Sequence, residues 1–132
     1  MTDVLRVGTD LTSVPEVRDA IAAHGDRYLR RIFAPEELED AAGDPRRLAA
    51  RFAAKEAVLK VLRPGDDPLP WKEIRVRRHP SGWTDLVLSG HAAERARAVG
   101  VEEWAVSLTH EGDLASAVVV ATTRTPGPTD TQ

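Results

Sequence analysis

The sequence predicts an α+β domain in which a mostly antiparallel sheet packs against one long helix. Three observations carry that prediction. Residues 45–62 hold the strongest helix signal, opened by Pro45, filled with alanine, leucine, arginine and lysine, and ended by Pro64-Gly65. Two pairs of alternating segments, 71–78 with 84–88 and 104–109 with 115–123, are each joined through a glycine-containing turn. A further alternating run, Val4 to Leu11, opens the chain.

In chain order, the first strand places Leu5, Val7, Thr9 and Leu11 on one face and Arg6, Gly8 and Asp10 on the other. A glycine inside a strand marks a close approach, so something is expected to pack or bind beside Asp10. Residues 14–23 read as a short helix with Ser13 as its cap, Pro15 in its first turn and Val14, Val17 and Ile21 at helical spacing. Tyr28, Leu29, Ile32 and Phe33 form an apolar cluster among Arg27, Arg30 and Arg31. Residues 34–42 predict a short helix with acids in its first turn, stopped by Gly43. After the long helix and the first hairpin, residues 89–99 predict a helix closed by Gly100, and the second hairpin turns through Glu111-Gly112-Asp113.

With 132 residues the chain has the size of one domain. Residues 1–123 are expected to form it, and 124–132 to be a disordered tail with almost nothing to bury. The hydrophobic fraction of 42% and charged fraction of 30% fit a soluble globular protein. No apolar run approaches the roughly 20 residues of a membrane helix, and the opening residues lack a secretory pattern, so no membrane partner is expected. The chain has no cysteine, which excludes disulfides, thiolate metal sites and cysteine nucleophiles and suits a cytoplasmic location. A net charge of −3 argues against a general nucleic-acid binder.

The long helix carries an unusual charge pattern. Arg46, Arg47, Arg51, Lys55, Lys60 and Arg63 are interrupted by one acid, Glu56. At 100° per residue, Glu56 shares a side with Phe52, Ala53, Leu59, Lys60 and Arg63, where a carboxylate is costly unless paired or metal-bound. Arg47, Arg51 and Lys55 run along a neighbouring edge. One reading is an i,i+4 ion pair from Glu56 to Lys60 on a solvated surface. The other is an anion site in which a carboxylate kept among cations holds Mg²⁺ against phosphate, with Asp10 supplying a second carboxylate. Asp10 by itself also reads as a turn or cap residue, and His110 as a hydrogen-bonded loop residue. His24, His79 and His91 show no metal-ligand spacing with His110, and no Gly-rich phosphate loop or G-x-S-x-G elbow occurs.

Three segments resemble the signatures of the holo-acyl-carrier-protein synthases, the small single-domain class of 4′-phosphopantetheinyl transferases. They are Val7-Gly8-Thr9-Asp10-Leu11, the run Arg51-Phe52-Ala53-Ala54-Lys55-Glu56-Ala57-Val58-Leu59-Lys60, and Val106-Ser107-Leu108-Thr109-His110. The F-x-x-K-E-A-x-x-K pattern is the specific one; the other two are weak alone. The resemblance implies a transferase of that fold over residues 1–123. It would move phosphopantetheine from coenzyme A to a serine of an apo acyl carrier protein and release adenosine 3′,5′-bisphosphate. It further implies Mg²⁺ held by Asp10 and Glu56, coenzyme A phosphates contacted by Lys60 and His110, with Arg51 a further contact, and a homotrimer with each active site at a subunit interface. Phosphoryl-transfer chemistry then gives Asp10, Glu56 and Lys60 catalytic roles, the base being Glu56 or a water it orients on the metal. Arg18, Arg27, Arg30 and Arg31 offer a docking patch for an acidic carrier, unless they pair with Glu36, Glu37 and Glu39.

Departures from the family pattern fall away from these positions. Glu16 stands where many members carry an arginine, Ser13 where an acid is frequent, Val61-Leu62-Arg63-Pro64-Gly65 in place of a Gly-rich stretch, and Gly82-Trp83-Thr84 in place of G-x-P. They keep open a non-catalytic coenzyme A-binding or assembly subunit of the same fold. A phosphate- or nucleic-acid-binding module built on the basic helix is a third reading, opposed by the acidic total and an aromatic fraction of 5%.

Overall fold

The computed structural model describes residues 2–125. Its elements are β1 (Thr2–Ser13), α1 (Val14–His24), α2 (Asp26–Ile32), α3 (Pro35–Ala41), α4 (Pro45–Leu62), β2 (Ile74–Arg78), β3 (Thr84–Leu88), α5 (Gly90–Ala98), β4 (Val101–Glu111) and β5 (Leu114–Thr125). The strands form a three-stranded antiparallel sheet in the order β1-β5-β4 and a separate β2-β3 hairpin. This is the expected α+β architecture with an antiparallel sheet on a long helix.

Local chemistry accounts for most boundaries. The Ser13 side chain accepts from the Glu16 N–H and starts α1. Asp44 caps α4 by accepting from the Arg46 N–H, Pro45 takes the first helical position, and the helix stops where Arg63 turns left-handed. Three segments differ from the sequence reading. Residues 71–73, expected as the start of a strand, form one 3₁₀ turn, because Pro70 sets the entry and its carbonyl accepts from the Glu73 N–H. The apolar cluster at 28–33 lies mainly on α2, a seven-residue helix whose Gly25 start offers no side-chain cap to reveal it. Strand β5 includes Arg124 and Thr125, which the sequence reading placed in the tail; residues 126–132 lie outside the described residues.

The core is built around α4. Ala53, Ala57 and Val61 of the helix and Ala117, Val119 and Ala121 of β5 are buried, as are Val76 and Ile74 of the hairpin. Small residues on both surfaces let helix and sheet approach closely. The limit is reached at Gly8 on β1, where an added Cβ would lie 2.9 Å from the Ala57 carbonyl carbon and 3.2 Å from a Val61 methyl. The close approach anticipated beside Asp10 is therefore the backbone of α4.

The alternation of β1 holds, but its apolar face is turned away from the helix. Leu5 is 65% exposed and Leu11 67%, with Val7 and, on β5, Val118 also exposed. Register sets Val7 opposite Val120 and Thr9 opposite Val118, so these side chains form one continuous outer face. Arg6, Gly8, Asp10 and Thr12 point to the helix side; the Arg6 guanidinium donates to the Val61 carbonyl at 2.8 Å.

Candidate active site

Asp10 lies two residues beyond Gly8 on β1 and so faces the α4 side where helix and strand are closest. Its Oδ2 accepts from the Thr12 hydroxyl at 3.2 Å. Lys60 of α4 donates from Nζ to the Thr9 carbonyl at 2.7 Å and lies 3.4 Å from Asp10 Oδ1. The ion pair formed by Lys60 thus reaches across to β1. Glu56, one turn earlier on the same flank, is half-buried. Burial pushes its carboxyl above the usual range, the Asp10 charge adds to that shift, and Lys60 opposes it. Two carboxylates from different elements therefore lie beside one exposed ammonium group, Glu56 being the desolvated one.

Such a pair fits a hard divalent cation. Mg²⁺ takes one or two carboxylates and fills its remaining positions with water and phosphate oxygens. Among the described residues no cluster of three or more His, Cys, Asp or Glu competes as a metal centre. Lys60 supplies the positive charge that Asp10 faces in this structure.

Arg51 and His110 meet elsewhere. They line a cavity of about 480 Å³ together with Arg47, Arg78 and Trp83. Arg51 is 5% exposed; it donates from Nη1 to the Arg47 carbonyl at 3.3 Å, while its Nε finds no acceptor among the described residues. Burial lowers its pKa, with Arg47 and Arg78 adding to the shift and Asp40 and Glu37 opposing it. A buried guanidinium with an unmet donor, beside further arginines, is a site prepared for an anion.

The two groups lie towards opposite edges of the sheet. Asp10 pairs with Ala117 of β5, which pairs in turn with Leu108 of β4, so two strand spacings, about 10 Å, separate β1 from β4. The structure brings Asp10, Glu56 and Lys60 together and Arg51 and His110 together, but within one chain it does not join the two sets.

Residues 6–118 match the family model described as the 4′-phosphopantetheinyl transferase superfamily. The chain belongs to this superfamily. The holo-[acyl-carrier-protein] synthase of Desulforudis audaxviator is 38% identical over 134 residues, covering 98% of this chain and 98% of the relative. The acyl carrier protein synthase of Mycobacterium tuberculosis is 36% identical and superposes with a TM-score of 0.73, covering 89% of this chain and 96% of that one. The ACPS–CoA complex of Chronobacterium ammoniagenes is 28% identical with a TM-score of 0.82, covering 92% and 99%. The resemblance drawn from the three sequence segments is borne out at the level of family and fold.

This phosphopantetheinyl transferase domain also contains a site residue that sequence reasoning misplaced. Lys55 was expected on a basic edge with Arg47 and Arg51; it is fully buried, with Nζ 2.7 Å from Glu37 Oε1 and donating to the carbonyls of Trp71 and Ile74. Glu37 is equally buried and accepts from the N–H groups of Ala34 and Val76, each at 3.0 Å. Burial pulls the Lys55 ammonium below its usual range, and Glu37 opposes that shift. The pair ties α3, α4 and β2 together directly beside Glu56. Nothing local in the sequence singles the pair out: Glu37 stands among Glu36, Glu39 and Asp40, 18 residues from its partner.

The four arginines of the transferase's suggested docking patch, Arg18, Arg27, Arg30 and Arg31, are exposed. The competing pairing with the α3 acids does not account for them at two positions. Glu36 pairs with Arg75 and Glu37 with Lys55, while Arg30 lies 4.0 Å from Asp26.

Proposed function

We propose that this chain is a Mg²⁺-dependent holo-acyl-carrier-protein synthase, moving the 4′-phosphopantetheine arm of coenzyme A onto a serine of an apo carrier protein. The observation that carries the reading is the convergence of Asp10 and Glu56 beside Lys60 in a member of this superfamily. Asp10 and Glu56 are the residues that would hold Mg²⁺, which when bound supplies Lewis-acid polarisation of the pyrophosphate.

The chain's own groups account for the remaining demands. Glu56 takes the proton of the serine hydroxyl, directly or through one water. A bond forms from the serine oxygen to the pantetheine-side phosphorus, and the bond from that phosphorus to adenosine 3′,5′-bisphosphate breaks. Lys60 lies beside Asp10 to offset charge on the departing phosphate. Arg51 and His110 line the basic cavity that receives the nucleotide phosphates.

The reading includes a homotrimer. An exposed apolar sheet face of Leu5, Val7, Leu11 and Val118 supports self-association, since a monomer rarely leaves so continuous a patch open. The split of the site supports it too: a neighbouring copy would complete the carboxylate set of one chain with the cavity of another. Arg18, Arg27, Arg30 and Arg31 suit an acidic carrier.

Intact mass spectrometry of apo carrier proteins, incubated with this protein, coenzyme A and Mg²⁺, tests the reading. A gain of one phosphopantetheine arm is expected, lost on chelation and with Glu56→Gln. Coenzyme A binding with no gain on any carrier would overturn the transferase and leave the non-catalytic coenzyme A-binding subunit.

A further inference from the structure

The β2-β3 hairpin carries an aromatic device that the transfer chemistry does not use. The His79 and Trp83 rings are stacked at 3.5 Å between centroids and 9° between planes. Backbone hydrogen bonds from the His79 N–H to the Trp83 carbonyl and from the Gly82 N–H to the His79 carbonyl close the loop around them. At the far edge of the imidazole, Nε2 lies 3.1 Å from Asp85 Oδ2 without hydrogen-bond geometry, and Arg77 grips the same carboxylate through two hydrogen bonds of 3.0 and 2.7 Å.

All of this fixes an indole that remains 56% exposed. A stack that served only to stabilise the hairpin would gain most by burying its larger ring. Instead Trp83 lines the cavity that also holds Arg47, Arg78 and the unmet Nε of Arg51. A flat aromatic wall beside a cluster of guanidinium groups matches a nucleotide: cations for the phosphates and a π-surface for the base.

We infer that Trp83, held flat by His79, is the stacking wall for the purine base of the nucleotide donor, and that this pair sets donor specificity. The inference rests on the reading of the protein as a coenzyme A-dependent transferase. His79 does not touch the base; it acts as a positioning residue through the indole. The sequence reading noted Gly82-Trp83-Thr84 as a departure from the family pattern, and the structure gives that departure a role.

The test measures binding without requiring transfer. Adenosine 3′,5′-bisphosphate is titrated into the purified protein by calorimetry, alongside ribose bisphosphate, which lacks the base. Trp83→Ala is expected to weaken the adenosine ligand about tenfold, the scale of one lost base–aromatic stack, and to leave the ribose ligand unchanged. Trp83→Phe retains most of the affinity. His79→Ala loses part of it and His79→Phe, which restores a ring beneath the indole, recovers it. With coenzyme A as donor, the Trp83→Ala change falls on KM rather than kcat. Equal binding of the adenosine ligand by the wild type and Trp83→Ala would overturn the inference while leaving the transferase reading intact, as would equal losses for both ligands. No binding of either ligand by the wild type would overturn both.

Discussion

Replacing Gly8 by alanine tests whether the contact between β1 and α4 sets both the stability and the chemistry of this domain. The new Cβ would lie 2.9 Å from the Ala57 carbonyl carbon, against about 3.5–4.0 Å for an unstrained carbon pair. Strand and helix must therefore separate by at least roughly 0.6 Å. The obstruction is main chain, so no rotamer change relieves it, and pairing the variant with Ala57→Gly gives no rescue. Overpacking of this kind costs about 1–3 kcal/mol, and a backbone obstruction belongs near the upper end. For a chain of 132 residues, with an unfolding entropy of about 2.1 cal/mol/K per residue, 2–3 kcal/mol lowers Tm by about 7–11 °C. The same displacement moves Asp10 on β1 away from Glu56 and Lys60 on α4. Misplacement approaching 1 Å at reacting groups costs on the order of 100-fold, so transfer should fall about 10- to 100-fold where the variant is still folded. Thermal melting by circular dichroism, with initial transfer rates taken well below the variant's Tm, reads both effects. A Gly8→Ala protein that melts within about 2 °C of the wild type and transfers at full rate would refute the reasoning.

Three further outcomes follow from the same structure. Lys55→Met strands the buried Glu37 carboxylate and should cost about 3–5 kcal/mol in urea denaturation, whereas Lys55→Met with Glu37→Gln recovers much of the loss; equal losses in single and double variants would contradict a coupled pair. Leu5→Asp with Leu11→Asp places charge on the outer sheet face and leaves the helix side untouched; light scattering should show smaller particles, and transfer should fall because the split site loses the neighbouring copy that completes it. Arg30→Glu with Arg31→Glu should raise KM for an acidic carrier several-fold at low salt, with the difference shrinking as salt rises, while KM for coenzyme A stays fixed.

Much of this fold could be read from local chemistry. The cap at Ser13, Pro45, and the turn around Gly112 each leave a residue-level mark, and α1, α4 and the β4-β5 hairpin lie close to where those marks place them. What local chemistry does not encode is which face of β1 meets the core. Leu5, Val7 and Leu11 would serve as an inner face by hydrophobicity alone, yet the helix takes the side with Gly8 because only that side admits its backbone. The candidate site divides in the same way. Glu56 drew notice as one acid on a basic helix, and Asp10 through Gly8, so that group was legible. Lys55 was not, because its partner Glu37 and the carbonyls of Trp71 and Ile74 come from segments that are adjacent only after folding.

Helix α4 makes opposite demands on neighbouring residues, and its geometry reconciles them. Lys55 and Glu56 are adjacent in sequence but point about 100° apart. Lys55 goes inward to Glu37, while Glu56 stays half-buried on the flank facing Asp10. The i,i+4 relation repeats each direction: Arg51 lies one turn before Lys55, Lys60 one turn after Glu56. Between the flanks the helix presents Ala53 and Ala57 to the sheet. Larger residues there would lift the helix off β5 and β1, moving Glu56 and Lys60 out of reach of Asp10 while Lys55 still anchored the far side. The alanines are therefore as necessary to the carboxylate pair as the carboxylates themselves, although they touch nothing that reacts.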